Sequence, residues 1–237
     1  MATREQIVKQ AQAWLGYKES NGTHGIIIDV YNAHKPLARG YKVKLTDEWC
    51  ATFVSSVFIK CKATDIFKTE CSCTKIIEHL KALGAWEEKD NYTPKAGDLL
   101  LYDWEDKKDY SGDNTNKPNH IGIVETVSNG VITVIEGNYK QAVTRRKIKV
   151  NGRYIRGFGV PKYEEEKQPQ QAATTFTIGD VVKLTKDATV YGKTKRFSGW
   201  VYLSKLYVRE VKGDRAVIST KKSGAVTGAV NIKHLIK

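Results

Sequence analysis

The chain has 237 residues, 39 Lys and Arg against 26 Asp and Glu, a formal net charge of +13 and 41% hydrophobic residues. That length accommodates one or two domains, and the apolar share is enough for a core, which excludes a disordered polyampholyte. Four Cys are too few for a disulfide scaffold. The longest apolar runs, Ile26–Ile28 and Leu99–Leu101, fall far short of the roughly 20 residues that cross a bilayer, so no membrane insertion is expected. The N-terminus has no apolar stretch of a secretory signal peptide, so a protein made and folded in a reducing compartment is the default expectation.

The charge is uneven: residues 1–160 carry +5, residues 161–173 carry −1 and residues 174–237 carry +9. An anionic partner is therefore expected for the C-terminal quarter, whether nucleic acid, anionic lipid or a wall polymer.

In chain order, Thr3 and Gln6 fit a capping box, Ile7, Ala11, Trp14 and Leu15 form one apolar stripe, and Gly16 supplies a stop, which predicts a first helix. Residues 17–46 read as irregular. A second helix is expected over about 47–60, from the spacing of Phe53, Val54, Val57 and Phe58. A third is expected over about 74–83, stopped by Gly84. The period then switches to two: 98–102, 121–127, 131–135, 142–150 and 154–159 read as strands, with Asn129-Gly130 and Asn151-Gly152 as hairpin turns. Helices followed by an antiparallel meander make an α+β pattern. The polar, Pro-bracketed stretch around 164–175 reads as a linker between a domain at 1–163 and a second at 176–237. The second shows short strands broken by Gly and Asp and no helix signal, which suggests a small all-β barrel.

Four features of the first domain converge on one chemistry. Cys50 lies where the second helix begins, where unpaired N–H groups and the helix dipole favour a thiolate. His120 opens a strand, Glu136 and Asn138 close its partner, and Pro94-Lys-Ala-Gly-Asp98 leads into an apolar strand. A thiol nucleophile, an imidazole base and a polar group that orients the imidazole are the parts of acyl transfer. Register arithmetic sharpens this. A two-residue turn at Asn129-Gly130 sets His120 opposite Tyr139 and turns Glu136 to the other face. A three-residue loop, or an equivalent bulge, sets Glu136 opposite Gly122, which leaves room for the carboxylate to approach the imidazole.

The segments Trp49-Cys-Ala-Thr-Phe-Val-Ser55, Pro94–Asp98, Asn119-His-Ile-Gly-Ile-Val124 and Ile135-Glu-Gly-Asn138 resemble the CHAP family, the cysteine, histidine-dependent amidohydrolases/peptidases. The resemblance covers residues 1–163 and implies a papain-like fold and cleavage of peptidoglycan. It implies Cys50 as nucleophile, His120 as base then acid, Glu136 as the group that orients the imidazole and Asn138 as a further polar partner. Trp49, Tyr102, Trp104 and Asn119 are the expected substrate contacts. The backbone N–H of Cys50 is the natural oxyanion donor, with a second expected near Tyr31 or Asn32. The cut bond, N-acetylmuramoyl-L-alanine or an amide within the stem or cross-bridge peptides, stays open.

Cys61, Cys71 and Cys73 lack zinc-site spacing and read as reduced, partly buried thiols. Asp103, Asp106, Asp109 and Asp113 lie in an acidic loop without EF-hand spacing. No metal and no other cofactor is expected. His24, His34, His79 and His234 read as surface residues.

Residues 176–237 resemble the Src-homology-three-like wall-binding modules, through short strands and the aromatics Tyr191, Phe197, Trp200 and Tyr202 among basic residues. That implies anchoring on peptidoglycan and anionic wall polymers rather than nucleic acid. The layout resembles a phage or prophage endolysin, expected as a monomer held in the host bacterial cytoplasm until release to the wall; an autolysin exported without a signal fits the same features. Two other functions stay open: a catalytically inactive wall-binding protein, and an amidohydrolase of a small soluble substrate.

Overall fold

The computed structural model describes residues 2–106, 113–164 and 176–237. Its coordinates divide into two compact units, Met1–Lys167 and Gln168–Lys237. The linker expected at 164–175 falls, Glu164 aside, outside the described residues. Five helices and two antiparallel sheets are present among the described residues.

The first unit layers four helices on a six-stranded sheet. The helices are α1 (Arg4–Ala13), α2 (His24–Ala33), α3 (Cys50–Lys60) and α4 (Cys73–Ala82). The strands are β1 (Trp86–Glu87), β2 (Leu99–Tyr102), β3 (His120–Ser128), β4 (Val131–Tyr139), β5 (Ala142–Lys149) and β6 (Ile155–Gly159), in the order β1-β6-β2-β3-β4-β5. The capping box expected for α1 is formed, with Thr3 and Gln6 bonding reciprocally.

The helices bury one face of the sheet. Ile7, Ile27, Phe53, Val57 and Ile76 pack with Leu99, Leu101, Ile121, Ile123 and Ile135 in one core. The other face carries Leu100, Tyr102, Val124, Val134 and Phe158 in a second core. β2 is therefore buried on both sides, which is why its sequence is a continuous Leu run rather than an alternation. α3 is buried from Cys50 to Phe58. Fully burying each of Phe53, Val54, Val57 and Phe58 contributes about 1.5–3 kcal/mol.

Three expectations are corrected. First, residues 17–46 are not irregular throughout, because α2 occupies 24–33. Its Ile26-Ile27-Ile28 run has poor helix propensity, and Thr23 makes no side-chain capping bond. Packing stabilises it instead: Ile27, Ile28 and Tyr31 are buried, and the Ser56 hydroxyl donates to the Ile27 carbonyl at 2.8 Å. The same helix buries His24, which is therefore not a surface residue.

Second, Asn151-Gly152 is not a hairpin turn, because β5 and β6 are not neighbours. The chain crosses back and inserts β6 between β1 and β2. Third, the second unit contains a helix, α5 (Gly199–Leu203), where Trp200-Val-Tyr-Leu reads as a strand. Only Val201 of that turn is buried, while Trp200 and Leu203 point outward.

The strands of the second unit form one sheet, ordered β10-β9-β8-β7-β11. Its strands are β7 (Val181–Leu184), β8 (Leu206–Lys212), β9 (Arg215–Ser219), β10 (Gly228–Asn231) and β11 (Leu235–Ile236). Val182, Leu206, Val208, Ile218 and Val230 form its core.

One glycine decides how near α3 can come to the sheet. A Cβ on Gly137 of β4 would sit 2.4 Å from Phe53 Cβ and 2.9 Å from a Trp49 ring carbon. Gly137→Ala is expected to push α3 away from β4 and to destabilise the chain by about 1–3 kcal/mol, as overpacking does. Thermal unfolding of the variant against wild type measures this.

Candidate active site

The N-terminus of α3, held against β3 and β4, sets the site. Cys50 is the first residue of α3, and the first turn holds no acidic residue to offset the positive end of the helix dipole. The sulfur is buried and surrounded by donors: the Cys73 thiol with Sγ–Sγ 3.8 Å, His120, and the backbone N–H of Ala51. The Cys73 hydrogen bond is the largest influence on Cys50. With His120 and the Ala51 N–H it outweighs the cost of burial and holds the thiol well below its ordinary range.

His120 opens β3. Its Nε2 lies 3.0 Å from Glu136 Oε2, which leaves Nδ1 as the ring nitrogen for Cys50. Burial pulls the imidazole down, but hydrogen bonds to Cys50 and Glu136 and their charges overcome it and raise the group to about 9. A lowered thiol beside a raised imidazole is the pattern of a thiolate–imidazolium pair.

The register that delivers Glu136 comes from a bulge. The β3–β4 turn is two residues, Asn129-Gly130, both with positive φ, and the pairs next to it are Ser128 with Val131 and Val127 with Ile132. The register then slips at Glu125, so that Val124 pairs with Val134 and Gly122 with Glu136. This is the equivalent bulge that the catalytic arrangement requires, in place of a three-residue loop. A Cβ on Gly122 would sit 2.7 Å from Glu136 Cγ and 2.9 Å from the Ile135 carbonyl, so the strand leaves space for this side chain only because residue 122 is Gly.

Glu136 is fully buried and accepts from three side chains: Tyr102 Oη at 2.6 Å, His120 Nε2 and Arg146 Nε at 2.9 Å to both oxygens. Arg146 is itself stacked over the rings of Tyr139, at 3.6 Å, and Trp104, at 4.5 Å. Trp104 stacks on Tyr102 with centroids 4.6 Å apart.

The other expected residues fall as follows. Asn138 does not join His120: it stands in the left-handed region, and its amide bonds Glu48. Trp49 is not a substrate contact, because it is fully buried with its indole N–H on Glu19 at 2.9 Å. Tyr102 is also fully buried and supports Glu136 rather than facing a ligand; burial, then the Glu136 charge, pushes its hydroxyl well up. Trp104 is half-buried beside His120, with centroids 6.2 Å apart. Asn119 is exposed, and its side chain accepts from the Trp104 N–H at 3.1 Å.

The backbone N–H groups of Tyr31 and Asn32 and the Asn32 side chain are not open as a second oxyanion donor. Both lie inside α2, where their backbone N–H groups belong to the helix, and the Asn32 amide is bonded on both sides to Val43. In the acidic loop, Asp103 is buried and accepts from Asn114, Asn116 and the Glu105 N–H. Asp109 lies outside the described residues. Among the described residues no group of three or more His, Cys, Asp or Glu is arranged to hold a metal. In the second unit Trp200 is 57% exposed and Tyr191 lies on the surface, while Phe197 and Tyr202 pack against the core, with the Tyr202 hydroxyl on the Ala188 carbonyl.

Two residues of the site escaped the sequence reading. Arg146 carried a usable signal: it pairs with Val134 across β4 and β5, so it shares a face with Glu136 two residues on. Cys73 carried none, because the approach of two helix starts is a tertiary fact.

A buried thiol at a helix start, an imidazole and a carboxylate in a row define a cysteine–histidine–carboxylate site. A family model described as "CHAP domain" matches residues 40–138, a span that runs from before Cys50 to Asn138 and includes His120 and Glu136. No curated protein matches the chain. A solved structure described as "The crystal structure of Ly7917 with the hydrolyzing product of MDP" is similar at 15% identity and a TM-score of 0.35, covering 97% of this chain and 92% of that one.

The alkylation of Cys50 by iodoacetamide checks the electrostatics. Its rate is expected to follow a midpoint well below that of an ordinary thiol. His120→Ala removes a partner that lowers Cys50, so the midpoint should rise; a midpoint unchanged by that substitution counts against the pair.

Proposed function

We propose that the chain is a peptidoglycan hydrolase that cleaves an amide bond through a cysteine acyl-enzyme. The observation that carries the proposal is the ordered contact of Cys50, His120 and Glu136 at the start of α3; the CHAP domain match supports it.

The residues divide the chemistry as follows. The Cys50 thiolate attacks the scissile carbonyl. The developing oxyanion is met by the N–H of Cys50, which at the first position of α3 has no intrahelical acceptor. The His120 imidazolium donates its Nδ1 proton to the departing amine. Neutral His120 then takes a proton from water, which attacks the thioester and releases the acid. Glu136 fixes the ring and favours its charged state, and Tyr102 and Arg146 hold Glu136 in place. In this reading the substrate contact falls to Trp104, which is half-buried beside His120. The same geometry serves an N-acetylmuramoyl-L-alanine amidase or an endopeptidase of the stem or cross-bridge.

Residues 176–237 act in this proposal as the wall anchor. The +9 charge of residues 174–237 attracts anionic wall polymer, and the exposed Trp200 and Tyr191 offer aromatic surface to sugar or peptide.

Purified walls test this by turbidity loss. Wild type should clear them, Cys50→Ala should not, and His120→Ala should be slower on the order of 10²–10⁴-fold. Equal clearing by Cys50→Ala overturns the cysteine mechanism, and wall binding without clearing by wild type overturns the hydrolase. Mass spectrometry of the released muropeptides reads which amide is cut.

The pH profile follows from the pair. As pH rises through about 9 the imidazolium loses its proton, so the rate should fall there. Glu136→Gln removes one of the groups that raise His120, so this alkaline limb should move to lower pH. A limb that stays in place counts against Glu136 as the positioning carboxylate.

A further inference from the structure

Cys73 makes and breaks no bond in the acyl-transfer steps, yet its hydrogen bond is the largest influence that lowers Cys50, and its sulfur stands beside the nucleophile. Cys50 opens α3 and Cys73 opens α4, and the two helix starts converge so that the sulfurs stand 3.8 Å apart, both buried. A disulfide needs about 2.05 Å between sulfurs, so side-chain rotation with a small approach of the two helix ends closes the gap. The other two thiols are engaged elsewhere. Cys61 lies 3.5 Å from the Gln6 carbonyl, and Cys71 lies 3.5 Å from an Arg39 nitrogen.

We propose that Cys50 and Cys73 form a redox-modification site that takes hydroperoxides: Cys50 is oxidised first and Cys73 captures it as a disulfide, which switches the hydrolase off reversibly. The proposal rests on the assignment of Cys50 as nucleophile made above.

The chemistry balances. The Cys50 thiolate attacks the terminal oxygen of a hydroperoxide; an S–O bond forms and the O–O bond breaks. The departing alkoxide takes the proton of the His120 imidazolium and leaves as an alcohol, and Cys50 is a sulfenic acid. The Cys73 sulfur then attacks the Cys50 sulfur; the S–S bond forms and the S–O bond breaks. The hydroxide that leaves takes the Cys73 proton and departs as water. Two thiols are oxidised, one hydroperoxide is reduced, and no further reactant is needed.

The site is also ordered for this sequence of events. Cys73 donates its hydrogen bond to Cys50, and that bond, burial and the charge on Cys50 push the Cys73 thiol well up, so Cys73 waits as a thiol while Cys50 reacts. Once Cys50 is a sulfenic acid the neighbouring negative charge is gone, and Cys73 ionises more easily at the moment its attack is needed. Without Cys73, a sulfenic acid in this position is open to further, irreversible oxidation.

The full chain, treated with a small excess of hydrogen peroxide, tests this by intact mass and peptide mapping. Wild type should lose two hydrogens, yield a linked Cys50–Cys73 peptide pair, stop clearing walls, and regain both free thiols and clearing with dithiothreitol. Cys73→Ser and Cys73→Ala should instead gain one to three oxygens at Cys50, form no link, and stay inactive after reduction once two oxygens are added. Cys61→Ser with Cys71→Ser should behave as wild type.

Wild type that gains oxygens at Cys50 as fast as Cys73→Ser, or that links Cys50 to Cys61 or Cys71, overturns the proposal. The mass readout does not need lytic activity. A chain that opens and closes the Cys50–Cys73 link but never clears walls contradicts the peptidoglycan assignment and upholds the thiol pair.

Discussion

A carboxylate buried without partners is among the costliest features a core can hold. Glu136 is fully buried, and much of the first unit is arranged around it. Tyr102, His120 and Arg146 reach it from β2, β3 and β5. Gly122 clears the space it occupies, and the bulge at Glu125 sets the register that turns it to the right face. Removing any one donor leaves part of this group unsatisfied, so the network is both a stability element and the means by which the imidazole is held at one angle. The stack of Tyr139, Arg146, Trp104 and Tyr102 extends that rigidity outward to the surface beside His120.

The helix layer supplies the other half. α3 is buried along most of its length, so its N-terminus cannot swing, and Gly137 admits Phe53 and Trp49 close to β4. Those contacts fix where the Cys50 sulfur stands relative to His120. The two halves are coupled by electrostatics: the thiol is lowered partly by His120, and the imidazole is raised partly by Cys50 and Glu136. Neither ionisation belongs to one residue alone. α4 brings a second sulfur to the same place, so a nucleophile made reactive by its surroundings also has a thiol at hand to capture its oxidised form.

Much of the site was legible from spacing. Cys50 and His120 stand at element boundaries that periodicity marks well, Glu136 lies in the alternating run of β4, and that alternation alone makes a bulge or longer loop necessary for Glu136 to face the imidazole. Asn138 was misassigned because the chain leaves extended geometry there: its left-handed φ turns the side chain to Glu48 rather than along the strand face. Trp49 and Tyr102 read as substrate contacts because aromatics beside a nucleophile in sequence often face its ligand. Whether an aromatic faces solvent or core depends on what packs over it, and here both are fully buried.

The capped first helix, the helix bearing Cys50, the strands bearing His120 and Glu136, and the concentration of positive charge in the last quarter are all readable from the chain alone, because they follow from local periodicity, capping chemistry and counting. That α2 is a helix despite its Ile run, that β6 inserts beside β2, that Trp200 sits on a helical turn, and that Arg146 and Cys73 belong to the site emerge only in the folded chain. Each of these depends on contacts between segments far apart in the chain, where burial and packing override local propensity.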